Sequence, residues 1–347
     1  MKKKVLIAMS GGVDSSTTAA LLLKEGYECI GAHMKLWKDP AGDPYPDTAK
    51  EAEEICKKLG ISFHLIDLTD EFKATIVDDF ISQYCSGETP NPCIKCNKLI
   101  KFGALLEKAK ELGCDHLATG HYVKLSTDKT GQVHMYKGSD PKKDQSYFLY
   151  ILSQEQLKHV LFPLGDHEKP KVRKLATKLG LPELEEKAES QDVCFYAEKS
   201  NLPFLKRHLK ENKDYKKGPI KDQNSKVIGE HKGLPFYTLG QRKGIDIGGG
   251  PALYVQGFDY ENNTLIVGPS SSLEKTEITL RDTNFISGTQ PSPSETLEAR
   301  IRHHGKLHKV KVTGSTVIFS EPPNAPMPGQ SLVLYKGDEV IGGGIMT

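Results

Sequence analysis

The sequence predicts an α/β fold: a doubly wound, mostly parallel sheet, followed by two small β-rich domains. Two observations carry this prediction. Across the first 120 residues, short apolar runs alternate with helical patterns, and strands separated by helices form parallel sheets covered on both faces. From Lys226 onward, short β-type runs follow one another between clusters of Pro, Gly and Ser. The length of 347 residues fits two or three domains.

The elements of the sheet follow from buried apolar runs and from helical spacing of apolar residues. The predicted strands are 4–9, 27–34, 63–67 and 116–119, and the predicted helices are 13–25, 47–59, 69–84 and 97–112. Parallel sheets of this kind bind ligands at the carboxyl ends of their strands. We therefore expect the functional residues directly after these strands.

The second half of the chain is predicted to consist mainly of short strands. The predicted strands there are 253–258, 264–268, 276–280, 296–301, 309–313, 316–319, 331–335 and 340–345. We expect domain boundaries near residues 204 and 273, which gives three domains, 1–203, 204–272 and 273–347.

The net charge of the whole chain is close to zero, but two segments of it are strongly basic. The sequence has 47 Lys and Arg against 45 Asp and Glu, which excludes a strongly basic coat protein and a long acidic tail. Residues 204–232 hold nine basic and four acidic side chains, and residues 300–311 hold five basic and none acidic. Each stretch carries +5, so the remainder carries −8. Two local basic stretches fit a nucleic acid ligand, and the alternative is a solvated lysine face.

Compartment is predicted from two absences in the sequence. No apolar run reaches the roughly 18–20 residues of a membrane helix, so we expect no membrane contact. Seven cysteines form an odd set without the spacing of secreted disulfide domains. We therefore expect a reduced, cytoplasmic chain with mostly free thiols.

A glycine-rich turn joins the first predicted strand to the first helix. It reads Ser10-Gly11-Gly12-Val13-Asp14-Ser15-Ser16. The glycines let the backbone approach an anion, and the free N–H groups and dipole of the helix start hold phosphate oxygens. The serines add donors, and Asp14 adds a ligand for Mg²⁺. No Gly-Lys-Ser/Thr ends the turn, so it is not a Walker loop. The alternative is a plain strand–helix turn capped by Asp14 and Ser15.

Three cysteines stand out by their surroundings. Cys93 and Cys96 form a Cys-x-x-Cys pair between a proline-bounded loop and a predicted helix, and Cys194 lies between polar and aromatic residues. We expect the helix start, Lys95 and Lys98 to lower the pKa of the paired thiols. The remaining cysteines are predicted to be inert packing residues: Cys29, Cys56, Cys85 and Cys114.

The residues alone leave three interpretations of these thiols open. They are structural thiols, a redox pair that carries and releases sulfur, or a three-cysteine iron–sulfur cluster with one open iron. A zinc site is disfavoured, because it wants four ligands and Cys194 is the one obvious addition to the pair.

The phosphate loop resembles that of the ATP pyrophosphatases, which cleave ATP to AMP and pyrophosphate in order to adenylate an oxygen. The resemblance implies an adenine nucleotide alpha hydrolase-like domain that uses ATP and Mg²⁺. The implied ATP-binding residues are Ala8, Met9, Ser10, Gly11, Gly12, Val13, Asp14 and Ser15, with Met34 and Gly120 on the adenine and ribose side.

Seven segments, spread over essentially the whole chain and in the family's order, resemble the bacterial tRNA-specific 2-thiouridylases. They are 8–16, 89–102, 118–122, 142–148, 190–196, 236–244 and 327–330. The resemblance implies that the middle domain binds tRNA and that the last is a β-barrel. It implies adenylation of the C2 oxygen of the wobble uridine in tRNAs for lysine, glutamate and glutamine. Cys194 would then receive sulfur as a persulfide from a cysteine desulfurase or relay protein. Cys96 would act as nucleophile or resolve the step through a transient disulfide with Cys194.

The same resemblance assigns residues to the RNA. Asn91, Pro92 and Cys93 match the stretch that lines the target base, which must leave its stack to react. The positions that match tRNA contacts are His121, Lys143, Asp144, Gln145, Arg302, His303 and Gln330. One position departs from the pattern, because some family members carry Asp where this chain has Cys93. The three thiols Cys93, Cys96 and Cys194 are therefore also the ligand set of a possible [4Fe–4S] cluster.

Two other functions compete with tRNA thiolation. A ligase that adenylates a small molecule shares the phosphate loop but has no need for the thiols or for basic β-rich domains. A non-catalytic RNA-binding module would leave Asp14 and Ser15 without a purpose.

Overall fold

The computed structural model describes residues 2–43, 47–187, 193–248 and 251–347. Its strands are β1 Lys4–Ala8, β2 Glu28–Lys35, β3 Ser62–Asp67, β4 His116–Ala118, β5 Val123–Thr127, β6 Val133–Lys137, β7 Val160–Leu161, β8 Gly218–Lys221, β9 Val227–His231, β10 Tyr254–Asp259, β11 Thr264–Gly268, β12 Glu277–Phe285, β13 Leu297–Arg300, β14 His308–Thr313, β15 Thr316–Phe319, β16 Ser331–Lys336 and β17 Glu339–Met346. Its α-helices are α1 Val13–Lys24, α2 Thr48–Leu59, α3 Thr69–Phe72, α4 Asp78–Cys85, α5 Pro92–Cys96, α6 Leu105–Glu111, α7 Ser146–Leu149, α8 Gln154–Leu157, α9 Lys169–Lys178 and α10 Asn201–His208.

The first sheet is parallel, with strand order β3-β2-β1-β4-β7. Alternate residues of the central strand β1 enter the two hydrophobic clusters on either side of the sheet. Leu6 packs with residues of α6, whereas Val5 and Ile7 pack with residues of α1, α2 and α9. The predicted doubly wound fold is confirmed, and β7 is a fifth strand that the sequence did not predict.

Two helical runs contain π-helical turns, which are frequent near functional sites. Residues Lys73–Val77 join α3 to α4, and residues Asn97–Ala104 join α5 to α6. The second run therefore begins at Pro92, five residues before the predicted start, and it includes both residues of the Cys-x-x-Cys pair.

The last domain is a closed antiparallel barrel of six strands, as the resemblance implies. Its order is β12-β15-β14-β13-β16-β17, and β12 closes the barrel by pairing with β17. The interior is the apolar cluster that includes Val317, Leu332 and Leu334. The unpredicted hairpin β5–β6 joins this sheet through the pairing of Tyr136 with Glu339. A separate sheet, β10-β11-β8-β9, lies between the two in sequence.

Among the residues that the structure describes, no helix has the length and apolar character that crossing a bilayer requires.

Candidate active site

The phosphate loop connects the end of β1 to the start of α1. Gly11 has a φ of +75°, and a Cβ there would lie 3.0 Å from the carbonyl oxygen of Thr48, so this position requires glycine. Gly12 is the N-cap of α1, and among the described residues no side chain caps the helix. The first N–H groups of α1 are therefore left for a ligand, which is the arrangement that binds anions.

The serines of the loop hold its shape. The Ser15 hydroxyl accepts a hydrogen bond from the Ser10 N–H at 3.1 Å, and the hydroxyls of Ser15 and Ser16 lie 3.2 and 2.8 Å from the Gly12 carbonyl oxygen, to which they donate. Met9 and Val13 are buried in the cluster on the α1 side of the sheet. Their contribution to a nucleotide site is therefore restricted to the backbone.

Asp14 is engaged by two groups from later in the chain. The Lys169 ammonium lies 2.7 Å from both carboxylate oxygens, and the Tyr122 hydroxyl donates to one of them at 2.7 Å. Lys169 is buried, and its backbone N–H donates to the carboxylate of Asp140 at 2.9 Å. Lys169 is a site residue that was not predicted from the sequence. The signal available was a lysine in the first turn of a helix, where the dipole disfavours a cation.

Gly120 packs directly on the start of α1. A Cβ on Gly120 would lie 2.8 Å from the Cβ of Asp14 and 3.0 Å from the backbone nitrogen of Ser15. Met34, near the end of β2, is half-buried and contacts the clusters on the α6 and α4 sides. Ala8 ends β1 and is half-buried as well. The predicted ATP residues thus lie at the carboxyl ends of β1, β2 and β4, as the sequence indicates.

The sheet also brings the Cys-x-x-Cys helix to this edge. His121, which follows Gly120, is buried and packs against Phe102 with 5.7 Å between ring centroids. Its Nδ1 lies 2.7 Å from the hydroxyl oxygen of Thr119. Burial, with a smaller effect from the charge of Lys101, holds the pKa of His121 well below its usual range, so the ring is neutral.

The thiol cluster consists of Cys93, Cys96 and Cys194. Cys96 is buried in the aromatic cluster that contains Phe195, and Cys194 packs at the edge of that cluster. The carbonyl of Cys194 accepts a hydrogen bond from the Lys38 ammonium at 2.8 Å. Cys93 is reached by solvent although it lies among densely packed protein atoms. Residues 190–192 of the predicted segment 190–196 lie outside the described residues.

The expectation of lowered thiol pKa values is wrong. Burial raises the pKa of Cys96 to about 12 and that of Cys93 to about 11, and it also raises the pKa of Cys194. Lys95 is paired with Asp79 at 2.7 Å, and Lys98 is exposed.

The cation that acts on all three thiols is Lys101, which was not predicted from the sequence. It lies five residues after Cys96. In a regular α-helix such a residue points roughly 140° away. The i→i+5 turns of the π segment bring it back toward Cys96. Its charge lowers the pKa of each thiol, but burial outweighs it at every one.

The residues predicted to line the target base form the approach to this cluster. Asn91 is the N-cap of α5 and Pro92 is its first residue, and both are half-buried. The sequence predicts a loop here and a helix only from Asn97, so the helical start at Pro92 corrects that prediction. The side chain of Asn97 anchors this helix by donating to the carbonyl of Phe148 at 3.1 Å.

The residues predicted to contact tRNA have partners within the protein. Asp144 is buried and accepts from the backbone N–H groups of Gly138 and Ser146. Gln145 accepts from the N–H of Tyr122 at 3.0 Å and is half-buried, as is Lys143.

The barrel supplies the rest of this predicted set. His303 Nε2 lies 3.0 Å from the carbonyl oxygen of Asp144, and the Gln330 amide donates to the carbonyl of Thr89 at 2.8 Å. Arg302 is exposed and donates to the carbonyls of Asn324 and Ala325. The structure therefore brings the barrel and residues 142–148 together, and Arg302 is the most exposed member of the set.

The described residues fit the two predicted metal groups differently. Mg²⁺ in nucleotide sites is held by one or two carboxylates together with the phosphates, and Asp14 supplies one carboxylate at the loop. For an iron–sulfur cluster, the described part of the chain contains no group of three or more His, Cys, Asp or Glu side chains placed to hold a metal. The three thiols are neighbours but do not form a cluster site as they stand.

The fold and the site define an ATP-pyrophosphatase nucleotide-binding domain joined to a β-barrel. Three family models match in order. They are described as the tRNA methyl transferase HUP domain (residues 3–198), the tRNA methyl transferase PRC-barrel domain (203–269) and the aminomethyltransferase beta-barrel domain (275–346).

Full-length relatives give the particular family. The tRNA-specific 2-thiouridylase MnmA of Clostridioides difficile (strain 630) is 41% identical, covering 100% of this chain and 98% of that protein. The protein of the same name from Moorella thermoacetica is 43% identical and covers 98% of each chain. MnmA 1 from Caldanaerobacter subterraneus is 43% identical, with 100% and 98% covered. The chain belongs to the tRNA-specific 2-thiouridylase family.

The ion pair of Asp14 yields a first prediction. Lys169→Met removes the cation from a carboxylate that is one-third exposed, so we expect the free energy of unfolding to fall by about 2 kcal/mol. Lys171→Met is the matched control, because Lys171 is exposed and pairs with Glu168 on the surface. Its effect should stay within about 0.5 kcal/mol. Urea unfolding measures both, and equal effects would contradict the role of the buried pair.

The raised thiol pKa values yield a second prediction. A thiol whose pKa is about 11 or 12 is protonated near neutral pH, and its thiolate fraction grows about tenfold per pH unit below that value. The iodoacetamide alkylation rates of Cys93 and Cys96, measured by peptide mass spectrometry, should therefore rise steadily between about pH 7.5 and 9.5. The rate for free glutathione should level off within that range. A plateau at Cys93 or Cys96 below pH 9.5 would show that burial does not control these thiols.

Proposed function

We propose that this chain catalyses tRNA 2-thiolation. It adenylates the C2 oxygen of the wobble uridine in tRNAs for lysine, glutamate and glutamine, and then replaces that oxygen with sulfur from a cysteine persulfide. The products are 2-thiouridine, AMP and pyrophosphate. One observation carries the proposal: an anion-binding loop and a thiol cluster share one edge of the parallel sheet. Gly120 contacts Asp14, and the next residue, His121, contacts Phe102 on the helix of Cys96.

The first step needs the loop and its counter-charges. The N–H groups at the start of α1 and residues Ala8–Ser15 bind the phosphates of ATP, with the base and ribose toward Met34 and Gly120. Asp14 would hold Mg²⁺, which would offset phosphate charge. Lys169, whose ammonium lies 2.7 Å from both carboxylate oxygens of Asp14, supplies a positive charge at the same loop. The uridine C2 oxygen attacks the α-phosphorus, and pyrophosphate leaves.

The second step needs the thiols. A cysteine desulfurase or relay protein transfers a sulfur atom to Cys194, which becomes a persulfide. The terminal sulfur attacks C2 of the adenylated base, and the C2–O bond breaks to release AMP. Cys96 then attacks the Cys194 sulfur and the S–S bond to the transferred atom breaks, with its electron pair going to the new thiocarbonyl. The resulting Cys96–Cys194 disulfide is reduced by a cellular thiol before the next cycle.

The burial of the thiols supports these separate roles for Cys194, which carries the persulfide, and Cys96, which resolves it. A raised pKa keeps Cys96 protonated and unreactive until the site fills, and Lys101 is the cation that supports a thiolate there. A protonated thiol does not attack the persulfide of Cys194 early. The site is thus built to delay the resolving step.

The tRNA is bound by the basic stretches 204–232 and 300–311. We propose that Asn91, Pro92 and Cys93 line the flipped base, and that the residues around it that meet the tRNA are His121, Lys143, Asp144, Gln145, Arg302 and His303. The chain acts in the cytoplasm as three units, 1–203 for ATP and catalysis, 204–272 for tRNA and 273–347 as the barrel. The carboxylate of Asp144 is engaged inside the protein, so its RNA contact depends on rearrangement.

The direct test follows nucleosides of tRNA incubated with ATP, Mg²⁺, cysteine and a desulfurase. Cys194→Ser should abolish 2-thiouridine while tRNA-dependent pyrophosphate release continues, because adenylation precedes sulfur transfer. Cys85→Ser is the matched control, since Cys85 is a half-buried thiol packed against the same aromatic cluster, and it should retain full activity. Pyrophosphate release driven by citrulline or aspartate instead of tRNA would favour a small-molecule ligase.

In a second candidate route, Cys93, Cys96 and Cys194 would hold a [4Fe–4S] cluster, which would supply hydrosulfide. The third thiol, Cys93, favours it, whereas the absence of a metal-binding group among the described residues disfavours it. We expect Cys93→Asp to keep most activity, and anaerobically purified protein to be active without bound iron or visible absorption. Stoichiometric iron, lost together with activity in Cys93→Asp, would establish the cluster route instead.

A further inference from the structure

The loop that leads into the Cys-x-x-Cys pair is held by the barrel. The backbone N–H of Thr89 donates to the carbonyl of Pro328 at 2.8 Å. The carbonyl of Thr89 accepts from the side-chain amide of Gln330, also at 2.8 Å. The backbone N–H and carbonyl of Thr89 are thus both bonded to one turn of the barrel, which contains Pro328, Gly329 and Gln330. Gln330 is 241 positions from Thr89 in the sequence.

That turn is itself fixed within the barrel. The N–H of Gly329 donates to the carbonyl of Met346 at 2.9 Å, and the N–H of Met346 donates to the carbonyl of Gln330 at 2.8 Å. Gly329 has a φ of +86°, and a Cβ there would lie 2.9 Å from the Cβ of Glu88 and from the nitrogen of Thr89. The turn and the loop are therefore in close backbone contact, with no space to move toward each other.

Further contacts hold both sides of the thiol helix. Arg281 of β12 donates to the carboxylate of Glu88 at 2.6 Å. On the other side, the hydroxyl of Tyr147 donates to the carbonyl of Ser331, the residue after Gln330, at 2.7 Å. The carbonyl of Phe148, the residue after Tyr147, accepts the hydrogen bond from Asn97 that anchors the helix of Cys93 and Cys96. Gln330 thus bonds the loop at Thr89, and Ser331 bonds the segment of Tyr147 and Phe148. Cys96 lies between these two segments in the sequence.

The chain between Thr89 and Cys93 is stiff. It consists of Pro90, Asn91 and Pro92, and the proline rings fix φ at two of these three positions. Thr89 and Asn91 each precede a proline, which restricts them to extended conformations, and Asn91 has φ −110° and ψ 93°. A displacement of Thr89 is therefore passed on to Cys93 instead of being absorbed.

We infer that Gln330 is a positioning residue for the thiol pair: its amide fixes Thr89 and, through the stiff segment, places Cys93 and Cys96 against the target base. This differs from a contact to tRNA, the role that the resemblance implies for Gln330. The kinetic consequence rests on the proposed function, whereas the structural consequence does not.

The kinetic test compares Gln330→Met with Gln290→Met. Both changes remove a side-chain amide that donates to a backbone carbonyl, but Gln290 bonds Gly314 on the surface, away from the loop. Single-turnover thiolation is measured at saturating tRNA and ATP with Cys194 preloaded as a persulfide, and tRNA affinity is measured by filter binding.

For Gln330→Met we expect the saturated rate to fall about tenfold while the Kd for tRNA changes less than about twofold, because misplacement of reacting groups lowers rate rather than binding. For Gln290→Met we expect neither to change. A weakened Kd with an unchanged saturated rate would overturn the inference and make Gln330 an RNA contact.

A second measurement needs no thiolation activity. Amide hydrogen exchange of peptides spanning residues 88–96 should be faster in Gln330→Met than in wild type, and unchanged in Gln290→Met. If the wild-type chain made no 2-thiouridine but this difference appeared, the proposed function would fall and the positioning role would stand. Unchanged exchange in Gln330→Met would overturn the positioning role by itself.

Discussion

The close approach of Gly120 to the start of α1 is the constraint on which the site depends. Because β1 and β4 are adjacent parallel strands, the residues that follow them leave the sheet at the same edge. With 2.8 Å between an added Cβ and Asp14, no side chain fits at Gly120, and the backbones meet directly. This contact sets the phosphate loop against the segment that carries His121, and so fixes the distance over which an activated base and a sulfur atom have to meet.

Cys96 and Cys194 lie in apolar surroundings that disfavour a negative charge. Phe72, Phe80 and Phe204 surround Phe195, the residue after Cys194, with ring centroids 5.3 to 5.9 Å apart. Such a wall excludes water and disfavours thiolates. The proposed persulfide of Cys194 would be shielded by the same packing from thiols in solution. Low resting reactivity and protection of the sulfur would then be two effects of one arrangement.

Much of the fold was predictable because local patterns determine it. Apolar runs gave the main strands of the parallel sheet, and the paired glycines at Gly11 and Gly12 gave the phosphate loop. Lys169 and Tyr122 could not be paired with Asp14 from the sequence, since their contacts span 155 and 108 positions. The direction in which the pKa values of the thiols shift was mispredicted, because nearby lysines can be seen in a sequence whereas the depth of burial cannot. The pairing of the hairpin β5–β6 with β17 could not be predicted, because β17 is in another domain.

Strand β17 has three neighbours, since it pairs with β16, with β6 and, around the barrel, with β12. A shortened chain without this strand would open an edge on each of the three at once. Exposed strand edges recruit other strands and lead to aggregation. Truncations intended to isolate the nucleotide-binding domain therefore have to remove or cap the hairpin β5–β6 as well, because it would otherwise present an uncovered edge of its own.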